Sequence, residues 1–513
     1  MKLKNPFLSL IFILLSFNYY AQTQQQIPWP TLMDSPWPMV KHDPQGTGRS
    51  SYVGPKTPNI IWAKDLEYGV FTGPVIDING NLYVGTNTWL PQDTTNYFYS
   101  ISPDGNSIWT FLTGETFSTN SGYLISSDST IYFGSQGGYV YAVDFEGNLK
   151  WKRDFGMNIF SHVMNIDLDS SIYITSSHYD SLYSINRYNG NLNWKVSYDG
   201  GFMASSPIFS PDGETIYIAG HDNYLYALNL DGSLKWRFSY GPVTVVPLVD
   251  NDGNIYVIGK VDSVGLHSIS PDGEIRWSYN FANWIAGRSL LDFVTMDRDG
   301  NIYFHSFINT TQQSKITSVD YEGNFRWEYP FEQPGEDIMV PLICDPDGTV
   351  YCGSTWGYYY YAISSKGELL WKLPLNGYQV DNSGAIGSDG TLYIGTHLGS
   401  FITGQEKTLI AIRDTVTSVK YEHPELNSFQ LKQNYPNPFN STTNIQYTVS
   451  KVGRVSLKVY DLMGREVATV LDRFQNAGSY NVIFEPKELA SGIYFYQLQS
   501  GNFIATKKLI LLK

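Results

Sequence analysis

The sequence predicts an all-β protein: an eight-bladed β-propeller with four-stranded blades, closed by an N-terminal strand and followed by a small Ig-like β-sandwich. Three observations predict it. A glycine stands four residues before a tryptophan at Gly105/Trp109, Gly147/Trp151, Gly190/Trp194, Gly232/Trp236, Gly273/Trp277, Gly323/Trp327 and Gly367/Trp371. Successive tryptophans lie 41 to 50 residues apart, the length of one four-stranded propeller blade. An apolar residue followed by tyrosine recurs between them, at Leu82-Tyr83, Ile131-Tyr132, Ile172-Tyr173, Ile216-Tyr217, Ile255-Tyr256, Ile302-Tyr303, Val350-Tyr351 and Leu392-Tyr393. Asp-Gly turns punctuate the alternating strands, for example Asp104-Gly105, Asp231-Gly232, Asp299-Gly300 and Asp389-Gly390, as hairpin turns with positive φ require.

The elements follow in chain order. Lys2, Lys4 and an apolar run from Phe7 to Phe17 read as a secretory signal over 1–21, cut near Ala21. That run is far shorter than the ~20 residues that span a bilayer, and no later stretch reaches that length. A lead-in segment occupies 22–52, and the propeller 53–414. Eight apolar-Tyr units stand against seven Gly-to-Trp units, and the missing eighth tryptophan is Trp62, which lacks the upstream glycine turn. Its strand is expected to complete the last blade beside Leu409 to Arg413, tying the ends of the domain together and leaving no free edge around the ring. Trp62, Trp109, Trp151, Trp194, Trp236, Trp277, Trp327 and Trp371 are the expected blade-docking residues, since an indole that buries about 150–250 Å² between blades needs no ligand to explain it.

Composition narrows the function. Aromatic residues make up 15% and charged residues 16%, which suits an extracellular all-β chain. Cys344 and Cys352 are the two cysteines, too few for a disulfide framework, a haem-attachment motif or a four-cysteine zinc site. They stand on the two arms of one predicted hairpin, where a cross-strand bridge and a pair of buried thiols are both open, the thiols being the simpler reading. The net charge of −14 is unevenly spread, because residues 429–513 hold 10 Lys/Arg against 5 Asp/Glu. The strongly acidic remainder does not suit nucleic acid.

In a propeller, alternate connections lie on opposite faces. The Asp-Gly turns share one face, and the other collects the longer connections 87–96, 175–181, 280–290, 305–314 and 354–358. Trp89, Trp284 and Trp356 fall in these and form a candidate aromatic surface for a sugar ring or peptide. His162, Arg288, Asp337 and Asp381 precede or begin innermost strands, near the channel mouth, where they would orient a small ligand. His178, His221 and His397 sit in separate blades, too far apart to assume a shared metal. Asp250-Asn-Asp-Gly253, Asp297-Arg-Asp-Gly300 and Asp345-Pro-Asp-Gly348 look like fragments of calcium loops, yet without a distal acidic ligand they read better as tight turns. Neither a His-Glu-x-x-His nor a Gly-x-Ser-x-Gly pattern is present, so no catalytic or metal-binding residue is assigned.

Ala142-x-Asp144-x-x-Gly147-x-x-x-Trp151 and Ala227-x-Asn229-x-Asp231-Gly232-x-x-x-Trp236 resemble the PQQ-like, or quinoprotein-dehydrogenase-like, propeller repeat, and Trp37 to Gly48 is similar to the segment that often precedes it. The resemblance covers about residues 36 to 414. It implies the fold more than an activity, since such repeats serve oxidoreductases, a lipoprotein of outer-membrane barrel assembly and surface proteins alike. An active quinoprotein would carry PQQ over the channel with a calcium ion. This chain lacks the adjacent cysteine pair, the haem motif and the extra inter-blade sequence of that group. The expectation is a binding or scaffold module without cofactor, with a PQQ-dependent dehydrogenase as the alternative.

After a polar linker at 415–428, short alternating strands are expected at 443–449, 453–460, 478–484, 491–499 and 502–512. Asn434-Tyr-Pro-Asn-Pro-Phe-Asn440, Val459-Tyr-Asp-Leu-Met-Gly464, Leu489-Ala-Ser-Gly-Ile-Tyr-Phe495 and Lys507-Lys508 before the terminal Leu-Ile-Leu-Leu-Lys resemble the type A C-terminal sorting domain of type IX secretion, over 429–513. This resemblance implies recognition by the type IX machinery, export across the outer membrane of a Gram-negative bacterium, removal of the tail, and release or attachment at the cell surface.

Overall fold

Each repeat closes into a four-stranded antiparallel sheet because its tyrosine and tryptophan motifs meet across the blade. The computed structural model describes residues 23–512 except 67, 87–95, 114–121, 136, 157–162, 177–180, 199–204, 221, 242–245, 283–293, 308–313, 332–339, 355–356, 381, 398–407, 415–428, 435, 450–452, 476–477, 487–488 and 502. The chain divides into two units, Met1–Thr415 and Val416–Lys513.

The first unit holds eight four-stranded sheets among the described residues. A representative blade runs Asn165–Ile166, Ser171–Thr175, Ser181–Asn186 and Leu192–Ser197, each strand antiparallel to the next. The eighth is assembled from both ends of the unit. Ala385–Ile386, Leu392–Gly395 and Leu409–Ile412 take Ile60–Lys64 as their outer strand, with Lys64 opposite Leu409 and Ile60 opposite Ile412. The N-terminal strand thus closes the ring as the sequence predicts. Trp62 needs no glycine turn because its neighbour in the sheet comes from the far end of the chain.

Within every blade the tyrosine of the second strand lies against the tryptophan of the fourth, with ring centroids 5.7 to 6.0 Å apart from Tyr303/Trp327 to Tyr351/Trp371. Each of the eight indoles also donates from Nε1 to a backbone carbonyl of the next blade in the ring. The acceptors are Pro103, Phe145, Arg187, Leu230, Pro271, Tyr321, Ser365 and Pro55 in turn, at 2.7 to 3.1 Å. The glycine four residues upstream of a tryptophan therefore answers to the tryptophan of the preceding blade. Gly323 has φ 82, and a Cβ there would lie 2.6 Å from Cδ2 of Trp277, closer than any side chain tolerates.

The tyrosine hydroxyl has its own partner six residues upstream in five blades. Tyr83, Tyr173, Tyr256, Tyr303 and Tyr351 donate to Asp77, Asp167, Asp250, Asp297 and Asp345 at 2.6 to 3.2 Å. The other oxygen of the same carboxylates accepts turn amides, as Asp250 does from Asp252 and Asn254. In the three calcium-like fragments the leading carboxylate is thus engaged in building its turn.

The second unit contains a three-stranded sheet, Gln430–Leu431, Thr443–Val449 and Gly478–Phe484, and a four-stranded one ordered Glu466–Gln475, Gly453–Tyr460, Gly492–Ser500, Phe503–Leu511. Ile445, Val455, Leu457, Val459, Tyr496, Leu498 and Leu509 are fully buried and form its core. The strand Glu466–Gln475 was not among those expected. It lies at a sheet edge, and its described side chains are exposed or half-buried throughout, so it lacks the apolar-in, polar-out contrast by which a strand is recognised.

Candidate functional site

All seven ligand residues expected from the sequence, Trp89, Trp284, Trp356, His162, Arg288, Asp337 and Asp381, lie outside the described residues, as do His178 and His221. The described residues define instead the axial channel.

The first strand of a blade presents its inner edge to that channel, so its amide groups need partners there. The lead-in segment supplies backbone carbonyls to the edge amides of six of the eight blades and meets an edge side chain of a seventh. The amides of Ile76, Ile125, Phe209, Val249, Met296 and Cys344 donate to the carbonyls of Trp37, Pro38, Pro44, Gln45, Thr47 and Gly48 at 2.7 to 3.3 Å. Asn165 Nδ2 donates to the same Pro44 carbonyl at 3.0 Å. Over eleven steps of chain the segment thus passes around the ring from one innermost strand to the next. Trp37 and Met39 are fully buried, and Lys41, His42, Gln45 and Thr47 are nearly so.

A tight reversal makes this path possible. Lys41 and His42 both adopt left-handed backbone, φ 66 and 72, a conformation non-glycine residues hold only when their surroundings over-determine it. The surroundings are visible: the Asp43 carboxylate accepts the Thr47 amide at 2.9 Å and the Thr47 hydroxyl, the Gly48 amide donates to the Lys41 carbonyl at 3.0 Å, and the Trp37 and His42 rings meet edge to face at 4.9 Å. Gly48 (φ 64) has no room for a Cβ, which would fall 2.9 Å from Thr295 Oγ1 and 3.0 Å from the Leu342 carbonyl.

Lys41 Nζ donates to the Val294 carbonyl at 2.9 Å. Burial pushes its ammonium down to about 7, although the neighbouring Cys344 and Asp43 favour the charge. Burial alone would raise Asp43; the hydrogen bond and charge of His42 and the charge of Arg49 more than offset it and hold the carboxyl below its usual range. Unfolded, Lys41 titrates near 10.5, so between pH 7 and 10.5 the unfolded chain holds a proton that the native state has released. Stability should therefore climb with pH through that window, with the burial penalty fully present below 7. The buried tyrosines, whose hydroxyls burial raises above 10.0, act oppositely and remove stability as pH passes 10. Denaturation midpoints measured from pH 6 to 11 should rise, peak near 10 and fall, and Lys41→Met should flatten the rising limb; an unchanged limb would show that Lys41 is not the group responsible.

His397 is buried, stacks on Phe71 with ring centroids 4.0 Å apart and pairs through its backbone with Gln379, which is a packing role at a blade end. Cys344 and Cys352 are buried free thiols. Among the described residues no group of three or more His, Cys, Asp or Glu is placed to hold a metal ion.

A quinone seated on the axis, as the PQQ-like resemblance would imply, meets the chain's own lead-in: Trp37, Met39 and the reversal at 41–48 fill the space between the innermost strands. The residues present do not fit that group. Sequence reasoning missed this plug, although a lead-in carrying Trp29, Met33, Trp37 and Met39 is more apolar than a plain linker has reason to be.

Residues 136–284 and 178–415, two overlapping stretches, match the family described as outer membrane protein assembly factor BamB. Residues 433–512 match the family described as secretion system C-terminal sorting domain. The fold is similar to the crystal structure of BamB from Moraxella catarrhalis, at 11% identity and TM-score 0.52, over 69% of this chain and 99% of that one. It is similar also to Chaetomium thermophilum Sqt1 bound to the N-terminus of the ribosomal protein L10, at 13% identity and TM-score 0.51, over 70% of this chain and 100% of that one. At such identities the likeness carries the fold alone. No curated protein matches the chain in sequence.

Proposed function

We propose, for a chain that belongs to the PQQ-like propeller family described as outer membrane protein assembly factor BamB and ends in a type IX secretion sorting domain, a role as a non-catalytic binding or scaffold module. The sorting domain places its work outside the cell or on the cell surface. The partner is a glycan, a peptide or an envelope protein, held on the face that carries the long connections.

The observation that carries this reading is the plugged channel. A propeller whose axis is filled by its own chain has its outer faces left for recognition, and a rigid ring of docked blades is a suitable platform for binding loops. The assembly role printed for the BamB family, and the protein N-terminus held by Sqt1, are precedents for binding on this fold. The quinoprotein alternative requires a space that the lead-in fills. Replacing Trp89, Trp284 and Trp356 together by alanine should abolish adhesion to cells or cell-surface polysaccharide while leaving the melting temperature unchanged. Retained adhesion would exclude that face as the recognition surface.

A further inference from the structure

One end of the four-stranded sheet in the sorting domain gathers most of the motif segments that identify it. Strand Gly453–Tyr460 runs into the turn Asp461 to Arg465, and the pairings of Tyr460 with Phe495 and of Gly492 with Leu511 bring the start of one neighbouring strand and the end of the last to the same place. At this end Leu462 is 68% exposed, Met463 81%, Ile493 41% and Leu512 52%. The Asn434 to Asn440 motif packs alongside: Phe439 is buried and its amide donates to the Ile510 carbonyl at 3.0 Å, while Asn437 Oδ1 accepts the Ile510 amide at 2.8 Å.

Turn chemistry does not ask for an apolar residue at the position of Met463; at that of Leu462 some propeller turns also carry one, Ile78, Phe145 and Tyr321, but there it packs against the core. The chain uses the same device throughout the propeller, an aspartate whose Oδ1 accepts the amides two and four residues on, followed by a glycine with positive φ. The residue just before that glycine is polar there, as at Asn79, Glu146, Asp252, Asp299, Glu322 and Asp347. In the sorting domain the identical geometry, with Asp461 Oδ1 accepting Met463 and Arg465 at 2.9 and 3.0 Å and Gly464 at φ 77, presents Leu462 and Met463 to solvent. A position that turn chemistry leaves free, filled with acids and amides on the propeller and with a methionine here, is spent on contact with something else. Methionine, unbranched and polarisable, suits an adaptable apolar contact.

We infer that this apolar end, led by Leu462 and Met463, is the surface that docks into an apolar pocket of the secretion machinery. The inference rests on reading the tail as the export signal and names the part of it that is recognised. The test compares four full-length chains expressed in the secreting cell: wild type, L462S/M463S, I483S, whose exposed isoleucine (72%) lies in the other sheet, and a chain lacking 429–513. Extracellular and periplasmic amounts and the protease resistance of the retained propeller are read. L462S/M463S should lower the extracellular amount by about tenfold or more, the loss of roughly 1.4 kcal/mol of docking energy or more, with the retained propeller still protease-resistant; I483S should match wild type. Normal export of L462S/M463S while the tail-less chain is retained would overturn the inference, as would an equal loss with I483S. Export of the tail-less chain would instead overturn the reading of the tail itself, and the inference with it.

Discussion

A chain from which the lead-in, residues 22–52, is deleted is expected to be unable to hold a folded propeller. Trp29, Leu32, Met33, Trp37, Met39 and Val40 are each at most 8% exposed. Burying such side chains stabilises by about 1.5–3 kcal/mol each, so the six together are comparable with the roughly 5–15 kcal/mol by which a native protein is stable. The same deletion leaves the inner-edge amides of six blades without their carbonyl partners. The expected result is rapid proteolysis, lost near-ultraviolet circular dichroism and no cooperative denaturant transition. A milder version separates packing from chain length: Trp37→Ala in the intact protein should cost about 3–5 kcal/mol, read as a lower denaturation midpoint. A truncated chain with the wild-type midpoint would show that the ring of blades is sufficient and the plug incidental.

The second large effect is on location. Deleting 429–513 should stop the propeller at the outer membrane, so that cell fractionation finds it in the periplasm, folded and protease-resistant. The first unit keeps its own core, and the sorting domain has a separate one built on Ile445, Leu457 and Tyr496, so loss of the tail removes an address without removing a fold. Normal levels of the truncated protein outside the cell would reduce the tail to an ordinary adhesion module.

Much of the architecture was legible because it is periodic and local. The eight tyrosines and eight tryptophans mark blades whose strands are joined by short hairpins, and each motif recurs where the next blade needs it. Closure was legible from a count, one tryptophan short and one unpaired strand at Ile60–Lys64. The edge strand Glu466–Gln475 was not, because a strand with no fully buried face shows little alternation. The plug was not either: Lys41 finds Val294 across 253 residues and Asn165 finds Pro44 across 121, and no spacing rule within 22–52 announces such partners.

By itself, then, the sequence determined the number of blades, the strand that closes them and the sorting domain that exports them, since hairpin turns, docking tryptophans and short motifs act over a few residues or one repeat. Only the tertiary structure decided what fills the axis. The inner edge of each first strand carries unpaired amides wherever it sits, and whether water, a ligand or the chain's own lead-in satisfies them depends on seven blades meeting one segment at once. It decided as well that the turn at Asp461 turns its two apolar residues outward, because exposure belongs to the assembled surface and is not written in the turn.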